Sequence, residues 1–165
     1  MKTKPFLIFL TIFFTVSGFS VDDILDDSSS GGGSSATTSC GTMNELSCQM
    51  HKAVNTYRVS SGRAALEVSL DCTRLAQDHA VDMVVRDFFS HNSPTETFQQ
   101  RAARYGLSFY VGENIAMGSD DVETILTMWQ NSPGHNNNML NSTYRSGGVG
   151  YYQGRWVQCF SGAAE

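Results

Sequence analysis

Four cysteines, Cys40, Cys48, Cys72 and Cys159, constrain this chain more tightly than any other feature. An even count in an oxidising compartment predicts two disulfides, and four thiols leave three connectivities open. Their spacing is not that of a zinc ribbon. Cys40–Cys48 as a local clasp and Cys72–Cys159 as a long staple is the favoured pairing, because the second bond ties the start of a helix to the last strand. The oxidising compartment is itself written at the N-terminus. Lys2 and Lys4 precede the apolar run Phe6–Ser20, the pattern of a secretory signal peptide with cleavage near Gly18 to Ser20. That run is too short to span a bilayer well, so a secreted, extracellular protein without a transmembrane span after cleavage is expected.

Residues 1–20 are therefore set aside as signal peptide. Residues 21–39, VDDILDDSSSGGGSSATTS, hold four Asp and a Ser/Gly/Thr tract that cannot bury enough apolar surface to offset ordering entropy, and read as a flexible acidic leader. Residues 40–165 form one small domain. Its charge is mild. Nine Lys/Arg remain once Lys2 and Lys4 are set aside, against eleven Asp/Glu without Asp22, Asp23, Asp26, Asp27 and Glu165. No basic field points to nucleic acid or an anionic membrane surface.

Apolar periodicity predicts four helices. Leu46, Met50, Ala53, Val54 and Tyr57 define the first, from Met43 to about Ser60. Leu75, Ala76, His79, Ala80, Met83 and Val84 define the second, from about Cys72 to Asp87, with Asp71 as its cap. Ser93, Pro94 and Glu96 read as a capping signature for a third helix carrying Phe98, Ala102 and Tyr105 and stopping at Gly106. Asp120 and Glu123 introduce the fourth, with Val122, Ile125, Leu126 and Trp129, which Ser132-Pro133-Gly134 ends. Strands are expected at Gly112–Gly118 and, as a hairpin around Gly154, at Gly147–Gln153 and Arg155–Gly162. Four helices and about three strands give an α+β domain with a small, mainly antiparallel sheet.

Among four histidines, His135 stands out because a Pro-Gly turn presents it in a fixed direction. His91, Glu113 and His135 have the donor types that suit zinc or a similar divalent metal, though no close-set metal motif joins them. The order Asn55-Thr56-Tyr57-Arg58, Leu75 to Ala80, Phe89-Ser90-His91, Gly112-Glu113-Asn114-Ile115-Ala116, Trp129 to His135 and Gly148-Val149-Gly150-Tyr151 resembles the CAP superfamily, also called the SCP domain. This family comprises cysteine-rich secretory proteins, antigen 5 and pathogenesis-related 1 proteins. The resemblance covers about Met43 to Ser161 and implies a three-layer α-β-α sandwich. It also implies a central cavity with two histidines and usually two glutamates, able to hold a metal. His91, His135 and Glu113 match that set. The second glutamate is absent, since Gln130-Asn131-Ser132-Pro133 follows Trp129, as in compact bacterial-type members.

The remaining motif residues read as scaffold. His79 sits on an apolar stripe, where a hydrogen-bonded core imidazole is expected. Asn55 and Arg58 are tertiary hydrogen-bonding groups, Asn114 satisfies backbone beside Glu113, Trp129 and Trp156 pack in the core, and Asn136 to Asn138 form a loop. Asn141-Ser142-Thr143 is a glycosylation sequon. No activated nucleophile is visible. The leading expectation is a secreted, non-catalytic binding protein for a small apolar ligand, a sterol or fatty acid, or for an extracellular protein or cell-surface target. The short Leu107–Val111 loop, with Phe109 and Tyr110, argues against sterol export. A metal-dependent peptidase with Glu113 as general base and a defence-related surface protein are the alternatives.

Overall fold

A computed structural model of the chain describes residues 39–107 and 110–162. The signal-peptide and leader expectations, apart from Ser39, and Phe109 lie outside the described residues. Both disulfides form as favoured, Cys40–Cys48 and Cys72–Cys159.

Five helices and four strands follow one another: α1 Glu45–Ser60, β1 Glu67–Val68, α2 Leu70–Val85, α3 Phe98–Arg104, β2 Val111–Met117, α4 Val122–Asn131, α5 Pro133–Met139, β3 Ser146–Tyr152 and β4 Arg155–Ser161. The strands make one mixed sheet in the order β1-β3-β4-β2. The β3–β4 hairpin turns on Gln153 and Gly154, both with positive φ. Short β1 adds in parallel to β3, and β2 lies antiparallel to β4 with Glu113 opposite Cys159 and Asn114 opposite Gln158.

Residues alternate across the sheet, so each face has its own core. Val157 and Cys159 of β4 pack with Ile115 against Leu75, Ala76, Ala80 and Met83 of α2 and Ala102 of α3. On the opposite face Trp156 and Phe160 pack with Met50 and Val54 of α1, Ile125 and Trp129 of α4 and Met139 of α5. The result is the α-β-α sandwich that the resemblance implied. Helix α2 lies unusually close to β3, because a Cβ at Gly148 would collide with the α2 backbone at Thr73 and one at Gly150 with that at Ala76. Glycine at these two positions lets helix and strand backbones touch.

Several boundaries differ from the sequence expectation, each for a local reason. Ser69 caps α2 by accepting from the Cys72 N–H at 3.1 Å, in place of Asp71. Helix α3 starts at Phe98, where Thr97 and Gln100 exchange both bonds of a capping box. Ser93 instead closes a turn, its hydroxyl accepting from the N–H groups of Thr95 and Glu96. Asp121, not Asp120, caps α4. The Ser-Pro-Gly sequence ends α4 and at once begins α5, with Pro133 in its first turn. The four-helix, three-strand expectation therefore missed α5, and it missed β1 because two residues carry no readable alternation.

Candidate functional site

Strand β2 is an edge strand, and the two helical layers meet around it. From the α2–α3 side comes His91, on the segment that follows α2. From the other side comes His135, in the first turn of α5. Sheet alternation turns Glu113 toward the α2–α3 layer and Asn114 toward the α4–α5 layer, so adjacent residues serve opposite halves of the site.

The His91 half is built on charge. Glu113 Oε2 accepts from Arg101 Nη2 at 2.8 Å, and both side chains are 1% exposed. The other carboxylate oxygen, Oε1, pairs with His91 Nδ1 at 2.9 Å, while the His91 side chain stays half exposed. Arg101 Nη2 also donates to the His91 carbonyl at 2.9 Å. His79 Nε2 bonds the neighbouring Ser90 carbonyl at 2.9 Å, as expected for a core imidazole; burial pushes its pKa down. Arg101 was missed by sequence reading. Its signal was position, since Arg101 falls between Phe98 and Ala102 on the buried stripe of α3, where a solvated arginine does not belong.

The His135 half is built on amides. Asn114 Nδ2 donates to the His135 carbonyl at 3.1 Å, and Asn138 Nδ2 donates to the Glu113 carbonyl at 3.2 Å and to Asn114 Oδ1 at 3.0 Å. Trp129 is core, as expected, and its indole N–H donates to the Ile115 carbonyl at 3.3 Å. Asn138 and Trp129 thereby occupy alternate carbonyls of the edge strand, which would otherwise invite another strand. The asparagine run read as loop is helical: Asn136 also accepts from the Tyr57 hydroxyl at 2.9 Å. Burial first, and then the charge of His91, lower the His135 pKa. The Nδ1 of His135 is buried without a protein partner.

The other motif residues hold the frame. Asn55 exchanges two bonds with the Leu66 backbone, at 2.9 and 2.8 Å. Buried Arg58 donates to the carbonyls of Ala64, Met139 and Asn141. His51 is also buried, against Asn55. Asn141, half-buried, accepts from the Thr143 N–H and hydroxyl. Ser132, Pro133 and Gly134 set the entry into α5.

A three-ligand metal centre does not fit this arrangement. Among the described residues no group of three or more His, Cys, Asp or Glu is disposed to hold a metal ion. Glu113 would have to release Arg101 or His91 before entering a coordination sphere. What the edge of β2 does offer is an apolar cavity of about 390 Å³, lined by Phe89, Ile115, Met117, Met128 and Trp129, with Ser132 and His135 supplying polarity. Phe89, Met117 and Met128 are each at least 41% exposed, so the cavity mouth is an apolar surface patch.

The profile of the family described as "CAP: Cysteine-rich secretory protein family" matches residues 51–160. The chain belongs to the CAP family. Among curated relatives of this CAP domain, the uncharacterized protein YkwD of Bacillus subtilis (strain 168) is 30% identical over 131 residues, covering 76% of this chain and 51% of its own. The uncharacterized membrane protein YlbC of the same organism is 33% identical over 114 residues, covering 68% and 33%. The CAP domain thus spans about half or less of the relatives it matches. A solved extracellular protein containing an SCP domain from Bacillus anthracis str. Ames superposes with a TM-score of 0.69 at 33% identity, covering 72% of this chain and 41% of that one. An outer surface protein from Borrelia burgdorferi, at 19% identity, shares the fold with a TM-score of 0.65, covering 72% and 92%.

Proposed function

We propose that this CAP domain is an extracellular, non-catalytic binding module that takes a small apolar ligand, a fatty acyl chain, into the cavity at the edge of β2. The cavity carries the reading. Its volume of about 390 Å³ lies at the low end of the ~300–1,000 Å³ typical of ligand sites. Its wall is almost wholly apolar, and flexible methionines at the mouth adapt to an unbranched chain. His135 and Ser132 at one side supply the few polar groups that orient a head group. The extracellular setting is supported by two disulfides, which suit an oxidising compartment, and by relatives described as an extracellular protein and an outer surface protein.

The test is a titration of the purified oxidised protein with a fluorescent long-chain fatty acid and, in parallel, a labelled sterol. Saturable binding of the fatty acid at micromolar concentration, abolished by Met128→Asp, is expected. Failure of both lipids to bind would end the reading and turn attention to a protein partner. The competing reading, peptide hydrolysis through metal-activated water with Glu113 as base, requires a carboxylate released from Arg101. Cleavage of a peptide library that is lost in a folded Glu113→Gln variant would favour it over binding.

A further inference from the structure

Sulfur chemistry separates two regions of this domain. Among the described residues no cysteine is free, because all four are joined in disulfides, so an oxidant that reaches the protein meets no thiol there. Thioethers are what remains. Met50, Met83 and Met139 are 0% exposed, and Met43 is partly buried against the core. Met117 and Met128 are the open ones, at 43% and 48%. They come from different layers, one from the last position of β2 and the other from α4, yet both line the apolar cavity.

Core packing dictates neither side chain. Met128 lies beside the buried stripe of α4, which is formed by Ile125, Leu126 and Trp129, and Met117 is the most exposed residue of β2. A leucine at either place would supply a similar apolar surface, but a thioether adds a property that leucine lacks, reversible oxidation. The step balances with hydrogen peroxide alone. A sulfur lone pair attacks one peroxide oxygen, the S–O bond forms as the O–O bond breaks, and the hydroxide released takes up the proton of the transferred oxygen. Sulfur loses two electrons, peroxide gains them, and the products are a sulfoxide and water. At this place the consequence is large. The wall of Phe89, Ile115, Ala116 and Trp129 is apolar, and the indole N–H of Trp129 is already given to the Ile115 carbonyl. An acyl chain laid across the mouth would therefore bury a polar S=O group without a donor, which weakens binding.

We infer that Met117 and Met128 are a paired modification site for peroxide, at which sulfoxide formation expels the acyl chain from the cavity and enzymatic reduction readmits it. The inference rests on the acyl-chain reading of that cavity and adds its regulation.

The experiment treats the disulfide-bonded protein with dilute hydrogen peroxide, locates the added oxygen by peptide mass mapping and titrates the same samples with the fluorescent long-chain fatty acid. Oxygen is expected on Met117 and Met128 well before Met50, Met83 and Met139, with the affinity lowered about tenfold or more. Methionine sulfoxide reductases for the two epimers, used with both disulfides verified intact by mass, should restore it. A protein carrying Met117→Leu and Met128→Leu is compared with itself before and after peroxide, so that its starting affinity drops out, and it should show no change. If that variant binds no fatty acid, recovery after the reductases decides alone, and an affinity that stays low once the oxygen is removed overturns the inference. Full oxidation of both methionines with unchanged affinity also overturns it, as does an equal loss in the doubly substituted protein, or oxygen on the buried methionines as fast as on the exposed pair. An untreated protein that takes up no fatty acid ends the acyl-chain reading itself, and this regulation with it.

Discussion

The two halves of the site at the edge of β2 are held by different physics. His91 is aimed by a buried ion pair, Arg101–Glu113, whereas His135 is aimed by a helix turn and an asparagine network that carries no formal charge. A charge-built half is held hard but fails abruptly, because removing one partner strands the other in a medium that solvates it poorly. An amide-built half loses its bonds one at a time. Function that needs a fixed His135 can therefore tolerate change on its side better than function that needs a fixed His91.

The sharpest way to break the comparison is Glu113→Ala. It should cost about 3–5 kcal/mol of stability, read by denaturant unfolding, because buried Arg101 loses its counter-charge. Replacing Arg101 and Glu113 together by methionine should recover most of that loss; a double variant as unstable as the single one would show that shape, not charge, holds this half. Next in size, Asn138→Ala removes two bonds on the other half and should cost about 1–3 kcal/mol. A larger loss than for Glu113→Ala would reverse the argument.

Acidification should act more gradually. Burial lowers the pKa values of His51, His79 and His135 in the folded protein, while the unfolded imidazole titrates near ~6.5. Below that pH the unfolded chain binds protons that the folded one resists. Stability from these residues is thus fully present above ~pH 6.5 and is lost as pH falls toward their lower folded values. Thermal melts between neutral pH and about pH 5 should show a steady decline, and a flat profile would contradict burial as the cause. The smallest effect concerns the cavity mouth. Met128→Ala should leave stability nearly unchanged, since Met128 is 48% exposed, but weaken acyl-chain binding about fivefold for the lost apolar contact. Unchanged affinity would move the ligand away from Met128.

Much of this fold was legible because its helices carry strong apolar stripes and its hairpin a clear glycine turn, and Cys72 and Cys159 were rightly joined. The candidate site was legible as residues but not as partnerships. Glu113 read as a metal ligand or general base because nothing in the sequence says that an arginine twelve positions earlier will reach it across the layer. Asn136 and Asn138 read as turn formers because asparagine propensity is a local quantity, while their bonds to Tyr57 and to the β2 backbone are tertiary. Helix α5 was hidden for a similar reason. Proline stops a helix when read from the left and starts one when read from the right.

The Cys72–Cys159 bond has a mechanical consequence. It closes a span of 87 residues that contains His91, Glu113 and His135. Tension applied to the two ends of the chain would run along the polypeptide to Cys72, cross the sulfur bridge and leave from Cys159, bypassing everything between. About 300 Å of contour length is thereby withheld from stretching. A domain displayed outside a cell and pulled by its attachments would keep both halves of its site under slack chain while the disulfide bears the load.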